Sequence, residues 1–473
     1  MSSPTTGKKD AIFALSRNLA GLKYEDIPTQ TAELTKMDIL DSLGVAIAAT
    51  STAPGCKKVS ELVKEMGGKK ESTIIGYGGK VPSYMAAFVN ATLVHALNYD
   101  DMHDGLGIHI ACSVFPAAFA TAERVGKVTG KEFITAYTLG MDIECRLARA
   151  LIITGKQRDW FIYGWNIPQV LGYFGAAAAA GRLLGLDEEH LVSTFGLAYS
   201  QVAGSRQTNI SPGSDKAMYP SFPAKAGVLS ALMAQKGIAG PKDCLEGKAG
   251  LYNLYFRGEY NPALLTGGLG KSFEAVGFYP FPGCAYTQLF VEVTQQMVNE
   301  HNIRPHDVEA ITVSVGDKTQ ALCEPLEIRR NPRIMSEAQY SMPFAVATVI
   351  TKGKPSIKYF AGDGIRDPEI LRISNKVNYQ PDPECDLQYG TGVCTAKVEI
   401  ILRDGRVLHS EQKGFRYGHP QRPISKDEIA EKFRDCASYS SRALPNERIE
   451  EIIQMVSKLE EVDDAAEIIR LVS

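Results

Sequence analysis

Groups able to move protons or hold a cation are densest in the stretch His95-Ala-Leu-Asn98-Tyr-Asp100-Asp101-Met102-His103-Asp104-Gly-Leu-Gly-Ile-His109. Three of the chain's eight histidines fall there, together with three aspartates. Imidazole and carboxylate suit several divalent ions, so a metal centre is one reading. A second is acid–base chemistry, in which a loop between helices offers histidines and carboxylates that tune one another. A third is a polar loop that caps helices and carries solvated charge. The glycines and irregular spacing put these groups on a loop, with no His-x-His or His-x-x-x-His pair to fix a coordination geometry. Spacing alone leaves all three readings open.

Other motif-like stretches carry less. Gly267-Gly-Leu-Gly-Lys-Ser272 has the tail of a phosphate-binding loop, but Leu265 stands where its first glycine belongs and no apolar strand leads in. No glycine-rich dinucleotide fingerprint occurs in a strand–turn–helix setting, and no Gly-x-Ser-x-Gly nucleophile elbow is present.

The elements that must position the loop read as helices up to about residue 270. Thr129-Gly-Lys-Glu132 is a capping-box pattern, followed by Phe133, Tyr137, Leu139, Ile143 and Leu147 at helical spacing. Residues 168–184 read as a second helix stopped by Gly185, and 228–233 lie in a third that ends near Gly237. The character then changes. Residues 308–315 alternate as a half-buried strand does, and 396–402 with 406–410 flank Arg403-Asp404-Gly405, a hairpin signal. Residues 342–352 and 368–375 between these strands read as helices. Ser425-Lys-Asp-Glu428 opens a further helix, and Ile449, Ile452, Ile453, Val456 and Leu459 stripe a last one. The fold class expected is therefore mainly α. Both chain ends (1–271 and 419–473) form a large helical domain, and 272–418 form a smaller inserted α+β lid.

At 473 residues the chain has room for two cores. A net charge of -3 gives no sign of a nucleic-acid partner. Nine scattered cysteines without a Cys-x-x-Cys pair point to reduced, mostly buried thiols. The N-terminal stretch lacks the apolar core of a signal peptide, and the uncharged run around 170–181 is too short to span a bilayer. The expectation is a cytoplasmic protein with no membrane partner.

The 95–109 loop, followed by Ile110-Ala-Cys-Ser-Val-Phe-Pro116, resembles the most recognisable segment of the MmgE/PrpD family, roughly H-A-x-D-F/Y-D-D-S/T and then G-H-P. The likeness continues in order. Gly164-Trp165-Asn166 stands where the family has G-W-H. Lys216-Ala-Met-Tyr219-Pro-Ser-Phe-Pro-Ala-Lys-Ala-Gly227 stands where K-x-x-H-x-G-x-A-A-x-x-G is usual. Gly237-Ile-Ala-Gly-Pro241 and Leu245-Glu-Gly247 are similar to G-F/L-T-G-P and L-E-G. Tyr279-Pro-Phe-Pro-Gly-Cys284-Ala-Tyr286-Thr-Gln288 resembles K-x-Y/F-P-x-C-x-x-x-H. Ser341-Met-Pro-Phe-Ala-Val-Ala347, Lys432-Phe-Arg-Asp-Cys436 and the segment from Leu459 to Asp463 complete the series.

This family includes 2-methylcitrate dehydratases, cis-aconitate decarboxylases and iminodisuccinate epimerases. The resemblance implies a helical domain from both chain ends, an α+β lid, an active site between them, a homodimer, and no metal or organic cofactor. It implies a lyase or isomerase that removes a proton, water or CO2 beside a carboxylate or carbonyl of a small organic acid. Such a site needs cations for carboxylates, a base for the carbon acid and an acid for the leaving group.

Position by position, most of the family's acid–base groups are replaced. The loop aspartate is Asn98, the hydroxyl residue after the aspartate pair is Met102, and the histidine after tryptophan is Asn166. The histidine three after lysine is Tyr219, that after the lid cysteine is Gln288, and the usual lysine of that segment is Tyr279. His109, Lys216, Asp100, Asp101 and Cys284 persist. Asn and Gln hydrogen-bond but exchange no proton near neutral pH. The groups left to move protons are Lys216, Tyr219, His109 and His103, with Asp100 or Asp101 as orienter. Lys216 and Tyr219, three apart, can share one face of a helix or turn, where an ammonium lowers a phenol's pKa. Asn98, Asp100, Met102, Trp165, Asn166, Arg206, Cys284, Tyr286 and Gln288 complete the candidate set as substrate-binding residues. Fewer cations weaken the case for a tricarboxylate. The alternative reading is a non-catalytic, metabolite-binding member of the same family.

Overall fold

The computed structural model describes residues 9–152, 164–210, 214–386, 388 and 390–473. The chain divides into a helical unit (Met1–Ala96, Ile108–Ala275, Ile429–Ser473) and an α+β unit (Leu97–Gly107, Val276–Glu428). The fold is mainly α, as expected.

The helical unit is built around the Ile167–Leu183 helix, buried over nearly its whole length. It packs against the helices Ala111–Val125, Gly130–Arg149, Glu188–Tyr199 and Ser221–Gln235. Small residues permit the approach: a Cβ on Gly227 would lie 2.6 Å from the Cβ of Ala176. The capping pattern at Thr129 forms by half. Its hydroxyl accepts from the Glu132 amide at 3.3 Å, but the Glu132 carboxylate turns to Arg182, 2.8 Å away. The charged partner wins over the neutral backbone amide.

The C-terminal residues knit into this unit. The Gly130 amide donates to the Val462 carbonyl at 2.8 Å, and the Lys36 ammonium donates to the Ser457 carbonyl at 2.9 Å. Lys432 pairs with Asp41 at 2.6 Å, both buried. Only glycine fits at 130, where a Cβ would fall 1.5 Å from the Leu459 carbonyl oxygen. The phosphate-loop-like turn is likewise structural. Arg146 donates to the carbonyls of Gly267 and Ser272 at 2.8 and 2.9 Å, tying its two ends.

A small hairpin, β1 (Ser72–Thr73) with β2 (Lys80–Val81), belongs to the helical unit. The α+β unit holds a four-stranded sheet of β3 (Val308–Val315), β4 (Val377–Pro381), β5 (Cys394–Leu402) and β6 (Val407–Gly414), in the order β4-β3-β5-β6. β3 and β4 run parallel, so a crossover must join them, and it carries the helices Met342–Lys352 and Pro368–Ser374. The Asp-Gly signal makes the antiparallel β5–β6 hairpin, with Ile401 opposite Val407. The Ala285–His301 helix supplies Leu289, Phe290, Val293 and Met297 to the core beneath the sheet. The Ser425 capping box forms in full: the Ser425 amide donates to the Glu428 carboxylate at 3.0 Å, and the Glu428 amide to the Ser425 hydroxyl at 3.2 Å.

The unit boundaries fall at 275/276 and 428/429, against 271/272 and 418/419 from the sequence, and residues 97–107 join the α+β unit although helical-unit segments flank them in the chain. Backbone pairing explains their place. The Gly283 amide donates to the Asn98 carbonyl at 3.1 Å, Met102 and Gly277 exchange two hydrogen bonds of 2.9 and 2.7 Å, and the Gly390 amide donates to Gly105 at 2.6 Å. None of these partners is a sequence neighbour.

All nine cysteines are buried and none forms a disulfide. Among the described residues, no single helix is long and apolar enough to cross a membrane.

Candidate active site

The helical unit brings together residues from three stretches. The Ser83–His95 helix ends in His95, which is 3% exposed. His109, half-buried, stands just before the Ala111–Val125 helix. A 3-10 turn, Ser214–Met218, presents Lys216, and Tyr219 follows it. The His95 ring lies edge-on to Tyr219 at a centroid distance of 4.5 Å and edge-on to His109 at 4.9 Å. Lys216 is 7% exposed and Tyr219 5%, so Lys216 is not a solvated surface lysine. A phenol, two imidazoles and a buried ammonium can between them donate and accept protons near neutral pH. The two imidazoles could also share a cation.

Three further candidates of this unit lie apart from those rings in the chain. Trp165 and Ser205 form an isolated antiparallel bridge, and the Trp165 ring packs on Tyr255 at 4.8 Å. The Arg206 amide donates to the Gly164 carbonyl at 2.8 Å. Asn166, 1% exposed, stands at the N-cap of the Ile167–Leu183 helix without a side-chain capping bond, and its Nδ2 has no hydrogen-bond partner among the described residues.

The helical unit also holds a buried acid that sequence reading left out. Glu144 is fully buried, accepts from the Ser113 hydroxyl at 3.0 Å, and has its pKa raised well above the carboxylate range by burial, with the Ser113 bond opposing. The Ser113 oxygen also lies 3.1 Å from the carbonyl of Ile110, next to His109, so its one hydroxyl proton can serve either acceptor.

The α+β unit holds the remaining candidates. Asn98 takes a left-handed backbone (φ 47°), which asparagine tolerates better than most residues. Its side-chain oxygen accepts from the Tyr340 hydroxyl at 3.2 Å, leaving Nδ2 buried and without a hydrogen-bond partner. Burial, then Cys284 and Asp100, holds the Tyr340 phenol well above its usual range, so it is a neutral donor. Asp100 and Asp101 are fully buried, and Met102 is 6% exposed. His103 is half-buried, and its Nδ1 accepts from the Leu106 amide at 3.2 Å.

Cys284 is the N-cap of the Ala285–His301 helix, half-buried Tyr286 packs on the core, and Gln288 is fully buried. Gln288 Nε2 donates to the Phe281 carbonyl at 3.2 Å, which fixes the amide's orientation and leaves Oε1 as a buried acceptor without a hydrogen-bond partner. Tyr279 is fully buried under the Arg416 guanidinium, 4.6 Å from its ring. Burial drives its pKa up, with Arg416 opposing, so it supplies no proton where the family has a lysine.

A model of the MmgE/PrpD N-terminal domain matches residues 14–263, and one of the MmgE/PrpD C-terminal domain matches 281–460. The chain belongs to the MmgE/PrpD family. Among curated relatives of this family, human cis-aconitate decarboxylase is 26% identical over 459 residues, covering 94% of this chain and 91% of its own length. The mouse protein of the same name is 26% identical over 464 residues, covering 95% and 91%. Cis-aconitate decarboxylase of Aspergillus terreus is 24% identical over 494 residues, covering 100% and 98%.

Besides Glu144, two residues absent from the sequence-based candidates stand beside them in this MmgE/PrpD chain. His95 opens the loop motif, and Tyr340 immediately precedes the matched Ser341-Met-Pro-Phe stretch. Both lie inside quoted motifs or beside them, but only the folded chain shows the ring contacts and the hydrogen bond to Asn98.

Proposed function

We propose that the chain is a lyase or isomerase acting on a small organic acid, by proton transfer beside a carboxylate or carbonyl and without a cofactor. The observation that carries this reading is the array of Tyr219, His95 and His109 rings with buried Lys216 one turn before Tyr219. The names of the cis-aconitate decarboxylases similar to this chain support the carboxy-lyase class. In this reading Tyr219 and Lys216 exchange the proton of the carbon acid, and His109 serves the leaving group or a carboxylate. His95 holds the Tyr219 and His109 rings in place. The amides at 98, 166 and 288 bind but transfer no proton. The chain works in this reading as a homodimer in the cytoplasm.

The test is turnover of candidate organic acids followed by proton NMR in deuterium oxide. Lys216→Ala and Tyr219→Phe are expected to abolish product formation and solvent-deuterium incorporation while leaving the melting temperature and dimer mass unchanged. Full activity of both variants on an identified substrate refutes the assignment. Ligand-induced stabilisation without product from any candidate acid supports instead a metabolite-binding protein.

A further inference from the structure

The α+β unit contains a cation that its own carboxylates leave unclaimed. Arg329, on the short helix Leu326–Arg330, is half-buried. Among the described residues its guanidinium makes one hydrogen bond, from Nε to the Glu324 carbonyl at 3.0 Å, and no ion pair. The carboxylate within electrostatic reach of it is Glu337, whose two oxygens are already held by Arg333, through Nη2 at 2.7 Å and the backbone amide at 2.7 Å. Burial is the largest influence on Arg329 and disfavours its charge, while the Cys284 and Cys323 thiols are also within electrostatic reach. A guanidinium stays protonated regardless, so a half-buried one without a counter-ion favours an incoming anion.

Its location fits a ligand. The Ser341 hydroxyl donates to the Arg329 carbonyl, and the adjacent Tyr340 donates to Asn98. Asn98 Nδ2, an N–H donor on a side chain 2% exposed, has no hydrogen-bond partner among the described residues. Two sets of donors tethered to neighbouring residues, one charged and one neutral, both seek oxygen acceptors. The forked N–H groups of arginine match the two oxygens of a carboxylate.

We propose that Arg329 is the carboxylate anchor of the α+β unit, taking one carboxylate of a small organic acid while the Asn98 amide donates to the same bound molecule. This rests on the reading of the chain as acting on such acids. It assigns this unit a single cationic grip in place of the family's exchanged lysine and histidine at 279 and 288.

Phenylglyoxal labelling of arginines, mapped by peptide mass spectrometry, tests the anchor with succinate and cis-aconitate as probes. Labelling of Arg329 is expected to slow several-fold with either acid, while Arg333, whose side chain is 72% exposed, labels equally with and without them. Unchanged labelling of Arg329 in both acids overturns the proposal. Calorimetry on the protecting acid is expected to show about tenfold weaker binding in Arg329→Gln and partial recovery in Arg329→Lys, with ligand-free melting temperatures unchanged. Equal ligand-free destabilisation by Gln and Lys, without a difference in binding, assigns Arg329 a structural role and also overturns it. Loss of turnover in Lys216→Ala beside full kcat/KM in Arg329→Gln would remove the anchor alone. Protection of Arg329 beside full turnover in Lys216→Ala and Tyr219→Phe would remove the acid–base assignment and leave the anchor standing.

Discussion

Arg416 grips Asp104 through two hydrogen bonds, Nε to Oδ1 at 2.7 Å and Nη2 to Oδ2 at 2.8 Å, with both side chains buried. The same guanidinium donates to the Phe278 carbonyl at 2.7 Å. Asp104 lies on the segment that carries Asn98, Asp100, Asp101 and His103, so this pair fixes the far end of the candidate loop. Removing one partner strands the other charge out of water. Arg416→Met is therefore expected to destabilise the protein by about 3–5 kcal/mol and to raise amide hydrogen exchange across 98–106. An unchanged urea midpoint together with unchanged exchange would show that the pair does not hold the loop.

Glu144 gives a pH dependence of definite sign. Its pKa is raised in the folded chain above the ordinary 4.5, chiefly by burial. The folded state therefore holds a proton that the unfolded chain releases above about pH 4.5. The contribution is fully present below that pH and is lost as pH rises towards the folded pKa, at about 1.4 kcal/mol for each unit over which only the folded state stays protonated. Glu144→Gln keeps an acceptor for Ser113 and has no proton to lose. The variant should match the wild type near pH 4 and be the more stable of the two at neutral pH. Asp142, also raised by burial to about 6, is common to both proteins and cancels in the difference. Parallel urea midpoints from pH 4 to 8 would contradict the burial argument.

Most of the fold was legible because its signals are local. The alternation in 308–315, the Asp-Gly turn and the Ser425 capping box each need only a few neighbouring residues, and each is found as read. The membership of 97–107 was not legible, since it depends on Gly277, Gly283, Gly390 and Arg416, far along the chain. The candidate site divides in the same way. Motif positions named Lys216, Tyr219 and His109, but His95 as the ring between the last two emerges only from packing. Arg329 lies outside every matched motif, and nothing in the sequence distinguishes it from its neighbour Arg330, which binds the Val377 carbonyl at the sheet edge. Burial without a counter-ion is a property of the fold.

The exchanged amides yield the sharpest expectation about substrate. Asn98, Asn166 and Gln288 stand where the family has an aspartate and two histidines, and each is buried with one amide atom lacking a hydrogen-bond partner. None can accept or release a proton near neutral pH. Wild-type protein is therefore expected to release little CO2 from cis-aconitate, and to dehydrate little 2-methylcitrate. Asn98→Asp, Asn166→His and Gln288→His restore the titratable groups, and an imidazole N–H at 288 can still donate to the Phe281 carbonyl. Each positioned acid or base contributes on the order of 10²–10⁴ in rate, non-additively, so the combined variant should gain at least a hundredfold of any activity the family scaffold retains. Melting temperatures close to wild type would certify that the variants fold. Efficient turnover of cis-aconitate by the unmodified chain would sink the argument, because it would mean that Lys216, Tyr219 and His109 suffice for chemistry that the three replaced groups were held to perform.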